Sequence, residues 1–327
     1  MQMLAHAVAQ PNIALVKYWG KRNLEENLPA AGSMSVTLDA LWTKMSVEFP
    51  AAAAADTLSV NGLESGREMQ ARVSACLDRM LGGSRLPAAV RSESNFPIAA
   101  GLASSSSAFA ALVMAASRAM PMPHDTLSLA RLAGAASGSA ARSFYEGIVE
   151  LRAGGEQIDV RSISAAKEWP LCVIVAVTAE GPKAIGSGDA MIRSAATSPF
   201  YRSWVERQDA DLELGRQAVR DKDFEKLAAV SEHNCLKMHS VMWTSRPPIV
   251  YWNEATLNGM ETIRELQRRA VPVFFTIDAG PQVKAICLPD ACGAVVSALA
   301  ATAGVKRVIS SGLGRGAREL DDLPDGA

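Results

Sequence analysis

A stretch rich in glycine and serine, Pro97 to Ser107, runs directly into a segment rich in alanine. The alanine-rich segment predicts a helix, so the glycine and serine residues are expected at its first turn. The start of a helix carries unpaired backbone N–H groups and the positive end of the helix dipole, which favour a bound phosphate. The chain has no GxxxxGK[ST] pattern and so no ordinary P-loop. On the residues alone, a phosphate loop and a small-residue helix packed on a sheet are about equally well supported.

The rest of the chain predicts a mixed α and β fold. Strands are predicted near residues 7–17, 34–39, 43–49 and 89–94, and later at GIVELRAG, LCVIVAV, VPVFFTI, VKAICL and VKRVIS. Helices are predicted near 125–136, as a pair within 204–238, and over 253–269. Glycine and proline in Glu180 to Gly188 predict a domain boundary there, giving domains 1–182 and 183–327.

Composition excludes several classes of protein. Hydrophobic residues make up 49% of the 327 residues and charged residues 20%, which is ordinary globular usage. The 33 basic and 34 acidic residues are well mixed along the chain. The sequence therefore predicts no extended positive electrostatic potential that would attract a nucleic acid or an anionic membrane. No apolar segment is long enough to span a bilayer. Five scattered cysteines without a CxxC pair argue against a disulfide framework and favour a reducing, cytoplasmic environment.

Two cationic side chains lie four residues apart in the block Lys17-Tyr18-Trp19-Gly20-Lys21, with the tyrosine hydroxyl between them. Such a group can hold an anionic phosphate tail. For an arbitrary sequence, two solvated lysines beside a buried tryptophan are the commoner outcome, because lysine is usually exposed. The block alone leaves both interpretations open.

Two further positions carry groups suited to chemistry. Asp278 follows the apolar segment VPVFFTI and precedes Ala-Gly-Pro, so it is expected at the end of a strand, where it either faces a cleft or caps a turn. Arg142, in SGSAARS, carries a guanidinium that can form two hydrogen bonds with a carboxylate or phosphate. The alternative for Arg142 is a surface arginine at a helix end.

Five blocks resemble, in the same order along the chain, motifs of the diphosphomevalonate decarboxylase family of the GHMP kinase superfamily. They are PNIALVKYWGKR (11–22), SMSVTL (33–38), NFPIAAGLASS (95–105), SGSAARS (137–143) and FTIDAGP (275–281). The combination of KYWGK, SGSAxR and DAGP is far more specific than the serine loop, which other superfamily members share. The chain is therefore identified from its sequence as a member of this family.

The resemblance implies an α+β, GHMP kinase-like fold of two domains. The N-terminal domain is expected to be ribosomal protein S5 domain 2-like and the C-terminal domain ferredoxin-like. The implied activity is ATP-dependent decarboxylation of (R)-5-diphosphomevalonate to isopentenyl diphosphate, CO₂, ADP and phosphate, in the mevalonate pathway of isoprenoid biosynthesis. ATP is then a co-substrate, Mg²⁺ is required, and a homodimer that binds neither nucleic acid nor membrane is expected.

The resemblance also implies roles for individual residues. Asp278 matches the catalytic aspartate, Lys17 the lysine beside it, and Arg142 the arginine on the substrate carboxylate. The remaining substrate contacts are expected at Tyr18, Trp19, Gly20, Lys21, Arg72, Ser137, Gly138, Ser139, Ser187 and Thr197. Contacts with ATP are expected at Gly101, Leu102, Ala103, Ser104, Ser105 and Ser106, with Ser105 also a ligand of Mg²⁺.

One block departs from the family pattern. PAAGSMSVTL has Ala31 and Gly32 where relatives typically carry Asn and Ser before the retained Ser33, so we expect a polar contact near the substrate to be missing. This keeps two related activities open, decarboxylation of phosphomevalonate and phosphorylation of mevalonate at its C3 hydroxyl. A third hypothesis is a GHMP-fold binding protein without catalysis. Retention of Lys17, Arg142 and Asp278 together argues against that hypothesis.

Overall fold

A computed structural model of the chain describes residues 3–96, 103–122, 125–181 and 183–321. The strands in this part of the chain are β1 Leu4–Ala9, β2 Asn12–Val16, β3 Lys21–Asn23, β4 Leu28–Pro29, β5 Ser33–Thr37, β6 Thr43–Glu48, β7 Thr57–Val60, β8 Leu63–Glu64, β9 Ala89–Ser94, β10 Ile148–Arg152, β11 Asp159–Ser164, β12 Cys172–Val177, β13 Val273–Ile277, β14 Val283–Cys287, β15 Arg307–Ser311 and β16 Arg318–Leu320. The α-helices are α1 Arg67–Leu81, α2 Ser104–Ala119, α3 Thr126–Ala136, α4 Ser187–Thr197, α5 Tyr201–Asp221, α6 Phe224–Trp243, α7 Glu254–Arg268 and α8 Cys292–Ala300. Short 3₁₀ turns span Ala140–Phe144 and Pro289–Ala291.

The first sheet has the strand order β16-β1-β6-β9-β7-β8 and is covered by α2, with α1 against β7, while α3 packs on these two helices. Alternate residues of β1, namely Ala5, Ala7 and Ala9, are buried against these helices, as the period of two in a strand requires. Small side chains on both β1 and α2 let the helix approach the sheet closely. The Ala-rich segment therefore does pack on a sheet, while its N-terminus lies at the cleft described below.

The second sheet (β11-β10-β5-β2) and the third sheet (β13-β14-β12-β15) contribute to one hydrophobic core. Ile13 and Val36 from the second sheet pack in the same cluster as Val173 and Phe274 from the third. Helices α7 and α8 contribute to a separate core with the other side of the third sheet. Buried apolar contacts thus hold the second and third sheets together. This packing fixes the relative positions of the side chains at the ends of their strands.

Strand pairing assigns β12 to the third sheet, although this strand precedes the boundary predicted between residues 182 and 183. It likewise assigns β16, near the end of the described chain, to the first sheet through pairing with β1. Glycine and proline mark where a strand stops, but they carry no information about which strand it pairs with. The described fold is α+β, as the resemblance implied, and has two units: the first contains the first and second sheets, and the second contains the third sheet.

The predicted helices are confirmed, and their ends follow from local capping. Asp125 accepts a hydrogen bond from Ser128 N at the start of α3, and Asn253 forms a capping box with Thr256 at the start of α7. The pair predicted within 204–238 breaks at Lys222, which adopts φ 53°. None of the described helices is long and apolar enough to cross a membrane.

Candidate active site

A cleft of about 680 Å³ lies between the two units, where the N-termini of α2 and α4 approach the ends of β2 and β13. Most of the site residues predicted from the sequence line it. They are Lys17, Tyr18, Trp19, Lys21, Arg72, Ala103, Ser104, Ser105, Ser137, Gly138, Ser139, Arg142, Ser187 and Asp278. Segments far apart in the chain are therefore brought to one place. Gly101 and Leu102 lie outside the described residues.

Three predicted residues are placed outside the lining of this cleft, each for a local reason. The Ser106 hydroxyl is turned into α2 and donates to the Ala103 carbonyl at 2.7 Å. Gly20 has φ +99° and packs against the Tyr201 ring, which leaves no room for a side chain. Thr197 lies at the far end of α4 from Ser187, where its hydroxyl donates to Arg193 O at 2.7 Å and accepts from Arg246 N at 2.8 Å.

Asp278 is held between two lysines. Its Oδ1 lies 2.6 Å from Lys17 Nζ, and its Oδ2 lies 3.3 Å from Lys284 Nζ. Both lysines are buried, whereas the Asp278 side chain is 23% exposed and lines the cleft. Burial opposes ionisation of the carboxyl, but the two ammonium groups outweigh it and hold the pKa of Asp278 well below its usual range. The carboxylate is therefore charged at neutral pH.

Lys17 owes its position to the helices behind β2. Its backbone N–H donates to Asn234 Oδ1 at 2.7 Å, and its carbonyl accepts from Gln208 Nε2 at 2.6 Å. Asn234 in turn donates to Asp211 at 2.6 Å, which links α5 and α6 at this point. The Lys17 ammonium also donates to Ala14 O at 2.8 Å. With both its backbone and its side chain bonded, Lys17 presents its charge to Asp278 in one fixed geometry.

Arg142 lies within the cleft wall, in the 3₁₀ turn Ala140–Phe144, and is 2% exposed. Its Nε donates to Asn12 Oδ1 at 3.2 Å and to Ser35 Oγ at 2.9 Å, and its Nη1 donates to Ser33 Oγ at 2.7 Å. Burial lowers the pKa of the guanidinium to about 10, which still leaves it charged at pH 7. A fixed, planar cation therefore faces the cleft beside the tyrosine of the KYWGK block.

Tyr18 packs beside Arg142, whose guanidinium carbon lies 5.9 Å from the tyrosine ring centre. Burial raises the pKa of the Tyr18 phenol to about 12, so the hydroxyl keeps its proton. The hydroxyl is buried and makes no hydrogen bond with any described residue. Gly138 lies against it, and a Cβ at Gly138 would overlap the phenol oxygen. Tyr18 thus keeps an O–H donor available in the cleft lining, where the KYWGK and SGSAAR blocks meet.

The N-terminus of α2 presents serine hydroxyls to the cleft. Ala103, which precedes the helix, adopts φ 55°, and α2 begins at Ser104. Ser105 Oγ accepts a hydrogen bond from Ser137 Oγ at 3.2 Å, which joins the serine loop to the SGSAAR block. Ser107, two residues further along α2, faces the first sheet instead. Its Oγ lies 2.7 Å from Thr43 Oγ1 on β6.

The cleft lining carries further positive charge at Lys21, Arg72 and Lys183, alongside the acidic Glu68 and Asp189. Lys21 and Arg72 repel each other, and burial together with this repulsion lowers the pKa of Lys21. Lys183, which the sequence analysis missed, also lines the cleft, and burial lowers the pKa of its ammonium. Clustered cations of this kind favour a ligand with several negative charges.

The departure at Gly32 has a structural basis. A Cβ at this position would lie 2.7 Å from Leu212 Cδ2 and 2.9 Å from Leu151 O, so the surrounding packing requires glycine. The neighbouring Ser33 is nevertheless in place and bonded to Arg142. Glycine at position 32 is therefore compatible with the anchoring of the arginine by Ser33.

Three further residues that contact Asp278 or Arg142, namely Lys284, Asn12 and Ser35, were also missed from the sequence. A weak signal for Lys284 exists, because a lysine within the apolar segment VKAIC is unusual for a buried strand. Asn12 and Ser35 join the site because the tertiary fold brings the Arg142 side chain against β2 and β5. No local sequence pattern predicts that contact.

These features define the class of protein: an α+β enzyme whose cleft is built for a small, multiply charged anion. Two family models match the chain. Diphosphomevalonate decarboxylase-like N-terminal domain matches residues 9–164, and mevalonate 5-diphosphate decarboxylase C-terminal domain matches residues 173–318. The chain belongs to the diphosphomevalonate decarboxylase family.

Individual relatives agree with this membership. Diphosphomevalonate decarboxylase of Gibberella zeae is 34% identical over 303 residues, which is 85% of this chain and 79% of the relative. The crystal structure of mevalonate diphosphate decarboxylase from Staphylococcus aureus is 32% identical, with a TM-score of 0.92 over 98% of this chain and 99% of that one. A structure described as MDDEF in complex with MVAPP, AMPPCP and magnesium is 33% identical, with the same TM-score and coverage.

Proposed function

We propose that the chain catalyses the ATP-dependent decarboxylation of (R)-5-diphosphomevalonate to isopentenyl diphosphate, CO₂, ADP and phosphate. The observation that carries the proposal is the charged Asp278 carboxylate, held by Lys17 in a cleft that also receives the N-terminus of α2. The carboxylate can accept the proton of a hydroxyl group, and the N-terminus of α2 favours the binding of a phosphate. Both groups lie in the same cleft. Family membership and the named ligands of the relatives support the same activity.

The chemistry explains why ATP is a reactant. A 3-hydroxy acid has no carbonyl placed to accept the electron pair that is released when CO₂ leaves. Phosphorylation converts the tertiary C3 hydroxyl into a leaving group. When the C3–O bond breaks, the electrons of the C–CO₂ bond form the new carbon–carbon double bond. The γ-phosphoryl group of ATP therefore ends as inorganic phosphate.

In this proposal Asp278 accepts a hydrogen bond from the C3 hydroxyl and aligns it with the phosphoryl group. Its depressed pKa makes it a weak base, so it takes the proton only as the new O–P bond forms. Lys17 keeps the carboxylate oriented and offsets the negative charge that gathers at the transferred phosphoryl group.

Arg142 is proposed to bind the carboxylate that is later lost as CO₂. Its hydrogen bonds to Ser33 and Ser35 fix the plane of the guanidinium before substrate arrives. A preorganised fork of this kind binds a carboxylate through two parallel hydrogen bonds. Tyr18, with its buried hydroxyl, is proposed to donate to an oxygen of the same substrate.

ATP fits the described residues at the start of α2. Backbone N–H groups and the Ser104 and Ser105 hydroxyls lie in the cleft, where they can donate to phosphate oxygens. Mg²⁺ held at this helix start would offset the negative charge of the phosphate groups. Ser105 is the proposed protein ligand, and a single hydroxyl suffices because Mg²⁺ usually keeps several waters. The diphosphate of the substrate is assigned to Lys21, Arg72 and Ser187.

A substrate panel tests the proposal. Purified protein with ATP and Mg²⁺ is given diphosphomevalonate, mevalonate 5-phosphate or mevalonate, and the release of ADP, phosphate and CO₂ is quantified. We expect equal amounts of all three products from diphosphomevalonate. Release of ADP without CO₂ from every substrate would contradict the decarboxylase proposal.

The second candidate is decarboxylation of mevalonate 5-phosphate, or phosphorylation of mevalonate at C3. The feature in its favour is the apolar pair Ala31 and Gly32 where the family pattern carries Asn and Ser, although neither residue belongs to the described lining of the cleft. Against it, the cations Lys21 and Arg72 and the Ser187 hydroxyl remain in the cleft, where they can contact both phosphates of a diphosphate. A higher kcat/KM for the monophosphate than for the diphosphate would select the second candidate.

The family resemblance further leads us to propose a cytoplasmic homodimer. In the described part of the chain the five cysteines are free thiols, which suits a reducing compartment. Sedimentation velocity at micromolar concentration tests the dimer, since a single species at the mass of one chain would contradict it.

A further inference from the structure

Lys284 occupies a place where a lysine is costly for the fold. It lies in the middle of β14 with 0% of its surface exposed, and it faces Val175 on β12 and Thr276 on β13. Removing an ammonium group from water costs several kcal/mol, and burial accordingly lowers the pKa of Lys284. Apolar side chains would fill such a strand position at no such cost. A retained buried charge at this position therefore calls for a specific partner.

That partner is the Asp278 carboxylate. Asp278 follows β13 and lies two residues beyond Thr276, the residue that pairs with Lys284 across the hairpin. This diagonal relationship lets the long lysine side chain reach the carboxylate, with Nζ 3.3 Å from Oδ2. Lys17 binds the other oxygen, Oδ1, at 2.6 Å. The two lysines together hold both oxygens and so restrict rotation of the carboxylate.

Lys17 and Lys284 differ in their access to the cleft. Lys17 lines it, but Lys284 is absent from the described residues of the lining. Lys284 is thus placed to act on substrate through Asp278 rather than by direct contact. The other charged groups whose fields reach Asp278 or Lys284 are Lys183 and Arg142, both cationic and both in the cleft wall.

We propose that Lys284 is a positioning residue for the reaction: it holds Oδ2 of Asp278 and so fixes the orientation in which the carboxylate meets the C3 hydroxyl. The inference rests on the proposed function of Asp278. The group of Lys17, Lys284 and Asp278 carries one more positive than negative charge. Loss of Lys284 therefore leaves a neutral buried pair and should not unfold the protein, whereas loss of Lys17 removes a group that also faces substrate.

The test is a double-mutant cycle with Lys284→Met and Asp278→Asn. The wild type is first assayed on the panel of substrates, and the cycle uses whichever substrate it turns over, so failure of the decarboxylase proposal is seen separately. We expect Lys284→Met to lower kcat by roughly 10- to 100-fold, in the range found for directly coupled residues, with both KM values within about threefold of wild type. In the Asp278→Asn background, the same change should alter single-turnover rates by less than about twofold.

A structural role for Lys284 predicts different results. If the lysine only supports the sheet, Lys284→Met should lower the rate by the same factor in both backgrounds, and this would overturn the proposal. An unchanged kcat in the single variant would overturn it as well. Val175→Ala is the matched control, because Val175 is equally buried on the strand opposite and carries no charge. We expect this control to lower the unfolding temperature while kcat stays within about twofold of wild type, and Lys284→Met to unfold within about 4 °C of wild type.

Discussion

Lys17 and Asp278 lie 261 residues apart in the chain and meet in an ion pair with an Nζ–Oδ1 distance of 2.6 Å. One comes from the end of β2 in the first unit and the other from the turn after β13 in the second. The pair exists only when the two units are docked, because each unit supplies one charge. Assembly of the site is therefore coupled to the packing of the second sheet against the third.

Asp278→Asn tests the carboxylate. The amide keeps the size of the side chain but loses its charge and basicity, so we expect kcat to fall by roughly 10² to 10⁴, the range for a positioned acid–base group. ATP affinity should change little, since ATP is assigned to the start of α2. Steady-state kinetics with a parallel measurement of ATP binding checks both.

Asp39→Asn is the control for this substitution. Asp39 also accepts hydrogen bonds at a turn, from Ser311 Oγ at 2.9 Å and Gly312 N at 2.7 Å, but it does not belong to the described lining of the cleft. The control should keep kcat within a few-fold of wild type. If Asp278→Asn behaves as the control does, Asp278 only caps its turn.

Arg142→Lys tests the guanidinium. A lysine keeps the positive charge, but an ammonium has only three donors and cannot bind a carboxylate through two parallel bonds while it also bonds Ser33 and Ser35. We expect kcat/KM to fall at least about tenfold, with the fold retained by circular dichroism. Arg131→Lys, outside the cleft, should retain wild-type kinetics. Full activity of Arg142→Lys would remove Arg142 from substrate binding.

The sequence predicted local structure better than the geometry of the site. Helix ends such as Asp125 and Asn253 were predictable because capping depends on residues within one turn. Four consecutive serines follow Ala103, but successive helical residues point about 100° apart, so they cannot all face one cleft. The structure turns Ser106 inward accordingly. The helical rotation of about 100° per residue was therefore enough, from the sequence alone, to exclude some of these serines from the cleft.

Contacts between distant segments were beyond local patterns. That Lys17 lies beside Asp278 came from the resemblance alone, since no spacing rule links residues in different sheets. Lys284 was missed because its role depends on the register of the β13–β14 hairpin, where a shift of one residue would turn its side chain to the other face.

Binding of ATP should be visible as slower hydrogen exchange at the start of α2. When phosphate oxygens accept hydrogen bonds from the backbone N–H groups of residues 103–105, these amides exchange more slowly. The next amide, Ser106 N, already donates to Ala103 O at 2.8 Å. We expect protection in the peptide that contains these residues on addition of ATP and Mg²⁺, measured by mass spectrometry. Peptides from α7, which lies outside the cleft, serve as the internal control. Equal exchange with and without nucleotide would argue against the phosphate assignment.

Gly138→Ala tests the close approach of the SGSAAR block to Tyr18. A Cβ at Gly138 would overlap the Tyr18 hydroxyl, and the buried tyrosine ring has little room to move aside. Overpacking of this kind costs about 1 to 3 kcal/mol, and displacement of the ring also disturbs its contact with Arg142. We therefore expect a raised KM for the phosphorylated substrate together with a lower unfolding temperature. Gly154→Ala is the matched control, because a Cβ there meets no atom within 4 Å. If both variants keep the wild-type KM, Tyr18 does not contribute to substrate binding.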